Sequence, residues 1–193
     1  MGQRKEVTLE LRPVLYVVAS GAAPARELPA LVADLTGDWD TCVITTPEGS
    51  RFFDAGRVAE MTGHPVRTSF KDPDAPDVLP PASAFAAAPA TFNTINKWAA
   101  GISDTLALGL LNEAIGLGLP IVTVPWPNVA LARHPAFGRS IATLRDCGIS
   151  VILSEGDLPD DGKPGQAKFP WEQLRAELTR IRADLSARNP PAP

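Results

Sequence analysis

The sequence predicts an α/β fold: a Rossmann-like (flavodoxin-like) doubly wound parallel sheet in a single three-layer domain. Two observations carry this expectation. Short apolar runs without alternation, such as Val14-Leu15-Tyr16-Val17-Val18-Ala19, recur along the chain, as strands buried on both faces require. Between them apolar residues return at helical spacing, first at Leu28, Leu31, Val32 and Leu35, and strands alternating with helices imply parallel pairing. The 193 residues suffice for one such domain and are short for two.

The elements follow in order. Residues 1–12 read as a loose polar lead-in, and the first strand runs into Ser20-Gly21-Ala22-Ala23-Pro24, where Pro24 suits a first helical turn. Gly37 closes that helix. Residues 41–45 form a second buried strand, residues 52–61 a second helix ended by Gly63, and residues 65–70 a third strand. Residues 71–81, rich in Pro and Asp, make a surface connection. Residues 84–88 are a strand of small residues, followed by one long helix over 93–117 that Gly116 and Gly118 break. A strand at 121–124, a helix at 130–145 and a last strand at 150–153 complete the alternation. Residues 154–170 carry Gly, Pro and charge without periodicity and read as a flap-like loop. Trp171, Leu174, Leu178, Ile181 and Leu185 then mark an amphipathic helix over 171–188, with a frayed tail beyond.

Composition narrows the function. A formal charge of −4 with no long basic run points away from nucleic acid and from anionic membranes. No apolar run approaches a bilayer span, and the charged N-terminus lacks a signal-peptide core, so a cytoplasmic protein is expected. The two cysteines, Cys42 and Cys147, read as buried free thiols. No metal site is expected.

In a doubly wound sheet ligands bind beyond the carboxyl ends of the strands, which directs attention to three loops. Ser20 to Pro24 offers small residues at a helix start, suited either to a phosphate or to a tight turn. Its lack of a GxGxxG pattern argues against a standard dinucleotide site. Thr45 and Thr46 with Ser50 add hydroxyls after the second strand, for the same phosphate or as a cap. Thr91, Asn93, Thr94, Asn96 and Lys97 crowd one helix start, and burying so many polar groups without partners is costly.

The segment Pro89-Ala90-Thr91-Phe92-Asn93-Thr94-Ile95-Asn96-Lys97, with Gly101-Ile102-Ser103-Asp104, resembles the PASANT-type motif of the homo-oligomeric flavin-containing cysteine decarboxylases. Phosphopantothenoylcysteine decarboxylase and the lantibiotic peptidyl-cysteine decarboxylases belong to that group. Pro125-Trp126-Pro127-Asn128-Val129-Ala130-Leu131-Ala132 echoes its second motif, PxMNxxMW, in the Pro and Asn only. The resemblance covers residues 13–153.

It implies non-covalently bound FMN at a subunit contact in a homo-oligomer, a trimer or a dodecamer of trimers. The substrate would be a small molecule or a peptide terminus. By the same analogy Ser20, Gly21, Ala22, Ala23 and Thr46 hold the phosphate. Phe52, Pro89, Ala90, Thr91 and Asn93 lie along the flavin, and Asn93 also binds the substrate carboxylate, with Asn128 completing the site. Two departures bear on the reaction. Thr68 stands where these enzymes carry a catalytic histidine, with His64 nearby reading as a solvated turn residue, and residues 154–170 contain no clamp cysteine. A non-catalytic flavin-binding subunit is therefore the alternative, and a flavin prenyltransferase-like protein ranks third.

Overall fold

The computed structural model describes residues 12–153, 156, 158–160 and 167–188. Five parallel strands, β1 Val14–Ala19, β2 Asp40–Thr45, β3 Ala84–Ala90, β4 Ile121–Pro125 and β5 Ser150–Val151, form one sheet in the order β2-β1-β3-β4-β5. The reversal of strand order lies between β1 and β3, the expected switch point.

Side-chain alternation splits the core in two. On one face Tyr16, Val18, Cys42, Ile44, Phe85 and Ala87 pack against α3 Phe92–Ala99, α4 Leu106–Gly116 and α6 Pro135–Asp146. On the other face Leu15, Val17, Val43, Ala84 and Ala86 meet α1 Leu28–Leu35, α2 Ala55–Thr62 and α7 Trp171–Arg188. Leu174, Leu178 and Ile181 of α7 are buried there, each contributing about 1.5–3 kcal/mol of transfer free energy. The amphipathic spacing of the terminal helix is thus realised. No helix among the described residues is long and apolar enough to cross a membrane.

Several element boundaries differ from expectation, each for a local reason. The third strand expected at 65–70 is a single bridge between Ile44 and Arg67. Arg67 exchanges backbone bonds with Val43 and Thr45, while Pro65 has no N–H to extend the ladder. The long helix over 93–117 is two. Gly101 adopts φ 71° after α3, and Thr105 caps α4 by accepting the Leu108 N–H, so an internal stop and start hide inside one apolar pattern. The helix at 130–145 likewise divides into α5 Val129–Ala132 and α6, because Pro135 takes a first-turn position and cannot bond back into α5.

The second helix begins at Ala55, where the Asp54 carboxylate accepts the Arg57 N–H, and a 3₁₀ turn, Gly49–Arg51, precedes it. β3 runs two residues further than expected, to Ala90. β5 is shorter, ending at Val151. Cys42 is buried, but Cys147 is exposed, since it caps α6 just before the turn at Gly148. The lead-in at 1–11, parts of the 154–170 loop and the tail at 189–193 lie outside the described residues.

Candidate functional site

The carboxyl ends of the strands are stitched together by backbone bonds. Ser20 N–H donates to Pro89 O at 2.9 Å, Thr46 N–H to Ala19 O at 3.0 Å, and Trp126 N–H to Ala90 O at 2.7 Å. These bonds bring the loops after β1, β2, β3 and β4 around one cavity of about 410 Å³. Gly21, Ala22, Thr46, Thr91, Asn93 and Asn128 all line it. Ser20, Ala23, Phe52, Pro89 and Ala90 are not among its lining residues.

Hydroxyl groups order the floor. Buried Ser20 Oγ lies 2.9 Å from Thr94 Oγ1, which lies 3.0 Å from Thr91 Oγ1. Thr91 also caps α3, accepting the Thr94 N–H at 3.3 Å. This chain of hydroxyls ties the first loop to the third, so that Ser20 spends its side chain inside the protein. Thr46 Oγ1 accepts the Gly49 N–H at 3.1 Å, which leaves its own O–H proton to donate. Close approach is built in here: a Cβ on Gly21 would sit 2.7 Å from Glu48 Cβ.

Asn93 is exposed in the first turn of α3, where the helix dipole favours negative charge. Asn128 Oδ1 accepts the Leu131 N–H at 2.9 Å and so caps α5. Its amide N–H₂ group is a donor outside that cap.

Of the polar residues crowding the α3 start, Thr94 and Lys97 also line the cavity, and sequence reasoning gave no site role to Glu48, Thr105, Leu108, Trp126 and Leu131, which share it. Lys97 Nζ pairs with Asp104 Oδ2 at 2.5 Å, which offsets its charge. Lys97 and Asp104 both fall inside the quoted motif, and their seven-residue separation across a helix break concealed the pair. Phe92 is fixed by aromatic contacts to His134 and Phe137 at 5.9 and 6.1 Å.

The imidazoles stand elsewhere. His134 Nδ1 accepts the Ala136 N–H and caps α6. His64 is not a solvated turn residue: half-buried, it holds Asp40 Oδ1 at 2.7 Å from Nε2. Asp40 opens β2, so this pair marks the amino end of the sheet, opposite the cavity. Among the described lining residues there is no histidine or cysteine. The cavity therefore offers hydrogen-bond donors, a helix N-terminus and apolar walls, with Glu48 as its carboxylate.

Solved structures with this fold include the FMN-dependent cysteine decarboxylase TvaF from thioviridamide biosynthesis (TM-score 0.72, 22% identity, 89% of this chain and 98% of that one). A mutant PPC decarboxylase complexed with pantothenoylaminoethenethiol superposes with TM-score 0.71 at 20% identity, over 90% and 99% of the two chains. HAL3 from Cryptococcus neoformans gives 0.68 at 22%, over 90% and 97%. At such identities the likeness is one of fold, and it is the flavodoxin-like α/β fold. A cysteine/cysteine sulfinic acid decarboxylase from an unknown prokaryotic organism is 32% identical over 130 residues, 63% of this chain. The chain spans about a third of that relative's length, 35%. The Flavoprotein family model matches residues 3–181, and the chain belongs to the Flavoprotein family.

Proposed function

We propose that the chain binds FMN in the cavity at the carboxyl ends of the strands and acts on a carboxylated thiol compound, either a small molecule or a peptide terminus. The observation that carries this reading is the convergence of both asparagines with the loops after β1 and β2 on one cavity. Relatives whose names specify cysteine decarboxylation and FMN support it.

The residues present fit the cofactor. Gly21 and Ala22 present backbone without bulky side chains, Thr46 retains a hydroxyl proton, and α3 starts beside them, a donor set suited to a phosphate dianion. Ser20, Ala23, Pro89 and Ala90 position these groups, and Phe52 is held under the Arg26 guanidinium at 5.1 Å. Thr91 and Asn93, which line the same cavity, would hydrogen-bond a bound flavin ring. Bound FMN supplies a hydride acceptor. The Asn93 and Asn128 amides donate to the substrate carboxylate and orient it, while Trp126, Leu108 and Leu131 exclude water.

The homo-oligomer, a trimer or a dodecamer, is supported by large apolar side chains left at the surface, with Phe70 59%, Leu117 66% and Ile102 43% exposed. A cytoplasmic site of action accords with this reading. The second reading, a flavin-binding subunit without turnover, is favoured by two departures: Thr68 and the cysteine-free 154–170 segment stand where the resembling enzymes carry their histidine and thiol.

Purified protein titrated with FMN tests the first step. Quenching of flavin fluorescence with one-to-one stoichiometry is expected, and a protein that leaves FMN fluorescence unchanged overturns the flavin reading. Turnover of cysteinyl carboxylates that falls roughly a hundredfold in Asn93→Ala separates the enzyme from the subunit.

A further inference from the structure

Trp126 is held from three sides. Pro125 and Pro127 flank it, fixing the backbone on either side and confining Trp126 itself to extended conformations. Its N–H is tied to Ala90 O. One edge of its indole meets Phe169 with ring centroids 5.1 Å apart at 61°. Phe169 in turn packs on Trp171 at 4.2 Å, and Trp171 Nε1–H donates to Glu27 Oε2 at 2.8 Å. An aromatic row thus runs from the first turn of α7 to the cavity wall.

The indole at the end of this row is half-exposed and lines the cavity two residues before Asn128. Phe92, Leu108 and Leu131 extend the apolar wall. A flat apolar surface whose rotamer and backbone are already fixed binds with little ordering cost. An indole carries no charge, so such a wall would discriminate chiefly by shape and burial.

We infer that Trp126 is a specificity-determining wall, selecting cysteine derivatives whose amino group bears a flat aromatic acyl substituent over those with a small one. The inference rests on the reading that the cavity accepts a carboxylated thiol. Asn93 and Asn128 share the cavity with the apolar wall that Trp126, Phe92, Leu108 and Leu131 form, so with the carboxylate held by the two amides an amide substituent on the same carbon would meet that wall.

Calorimetric titration of the protein as purified with N-benzoylcysteine and N-acetylcysteine tests it, because the ratio of two affinities within one variant is immune to general loss of protein. The expected ratio is roughly three- to tenfold in favour of the benzoyl compound. It should fall close to one in Trp126→Ala, recover in Trp126→Phe and be intermediate in Phe169→Ala, where the wall is present but unsupported. Equal affinities in the unaltered protein, no binding of either compound, or a ratio that survives Trp126→Ala overturns the inference. Failure of the flavin reading shows separately, as FMN fluorescence that the protein leaves unchanged.

Discussion

Gly49 has less room than its solvent-facing neighbours imply. A Cβ there would lie 2.4 Å from Thr45 Oγ1 and 2.5 Å from the Ala19 carbonyl oxygen. The second of these is backbone in β1 and cannot swing away. Gly49→Ala is therefore expected to destabilise the fold by about 1–3 kcal/mol, read as a lower urea midpoint with unchanged slope. Asn128 allows a finer separation. Asn128→Ala removes the α5 cap and should cost about 1 kcal/mol, whereas Asn128→Asp keeps the accepting oxygen but loses the amide donor. Near-normal stability with impaired substrate binding in the Asp variant is the expected pattern, and normal binding would show that the amide is not used. Part of this was legible from sequence: Asn93, Asn128 and the small loop residues were named from their motifs. Trp126 was quoted within the second motif but given no place in the cavity, because only the Phe169 and Trp171 contacts show what holds it.

Among the elements, β1 was readable as an uninterrupted apolar run, and β2 beyond Asp40 and β4 as short apolar runs broken only by the buried threonines Thr41, Thr45 and Thr123, since burial on both faces selects against larger polar side chains. Their ends were less so. The α3–α4 break is written in Gly101 and Thr105, but the apolar pattern continues across it, and periodicity alone joined the two helices. Residues 65–70 look like a strand by composition, yet they lie where only Arg67 meets β2. The C-terminal helix tests whether a late element supports the site. Its Leu178 is 1% exposed against the second core face, so Leu178→Ala should cost about 2–5 kcal/mol. If α7 also steadies the aromatic row, fluorescence of the Trp126 and Trp171 indoles should shift to the red in this variant at temperatures below its Tm. A blue emission maximum retained up to global unfolding would show the row to be independent of the helix core.

For the whole molecule, two buried acids set the alkaline limit. Burial, with Cys42 beside it, pushes the Tyr16 phenol up to about 12, and its O–H donates to Pro80 O at 2.9 Å. Burial, with Asp40 adding to it, pushes the Cys42 thiol up to about 12 as well. Both groups have folded pKa values above their unfolded ones, near 8.5 for a thiol and 10 for a phenol. The unfolded chain therefore releases these protons first. Stability from this source is fully present below about pH 8.5 and is lost as pH rises from there towards 12. Thermal melts between pH 7 and 11 should show that decline, flattened above pH 10 by Tyr16→Phe and between pH 8.5 and 10 by Cys42→Ala. A flat profile in the unaltered protein would rule the mechanism out. Alkylation at neutral pH gives an independent check, with Cys147 modified and Cys42 protected until unfolding.

The sheet order has a consequence for how the chain reaches this state. β3 lies beside β1, with Leu15 opposite Ala84, although β2 and the whole 63–83 connection intervene in sequence. Pairing these two strands closes a long loop before any of its contacts repay the lost chain entropy. The strand that must be captured offers mostly methyl groups, Ala84-Phe85-Ala86-Ala87-Ala88-Pro89-Ala90, so little apolar area draws it in early. The β1–α1–β2 crossover unit should form first and the β3 docking last. Because the cavity needs the loops after β1 and β3 together, ligand binding should appear only with the slowest refolding phase.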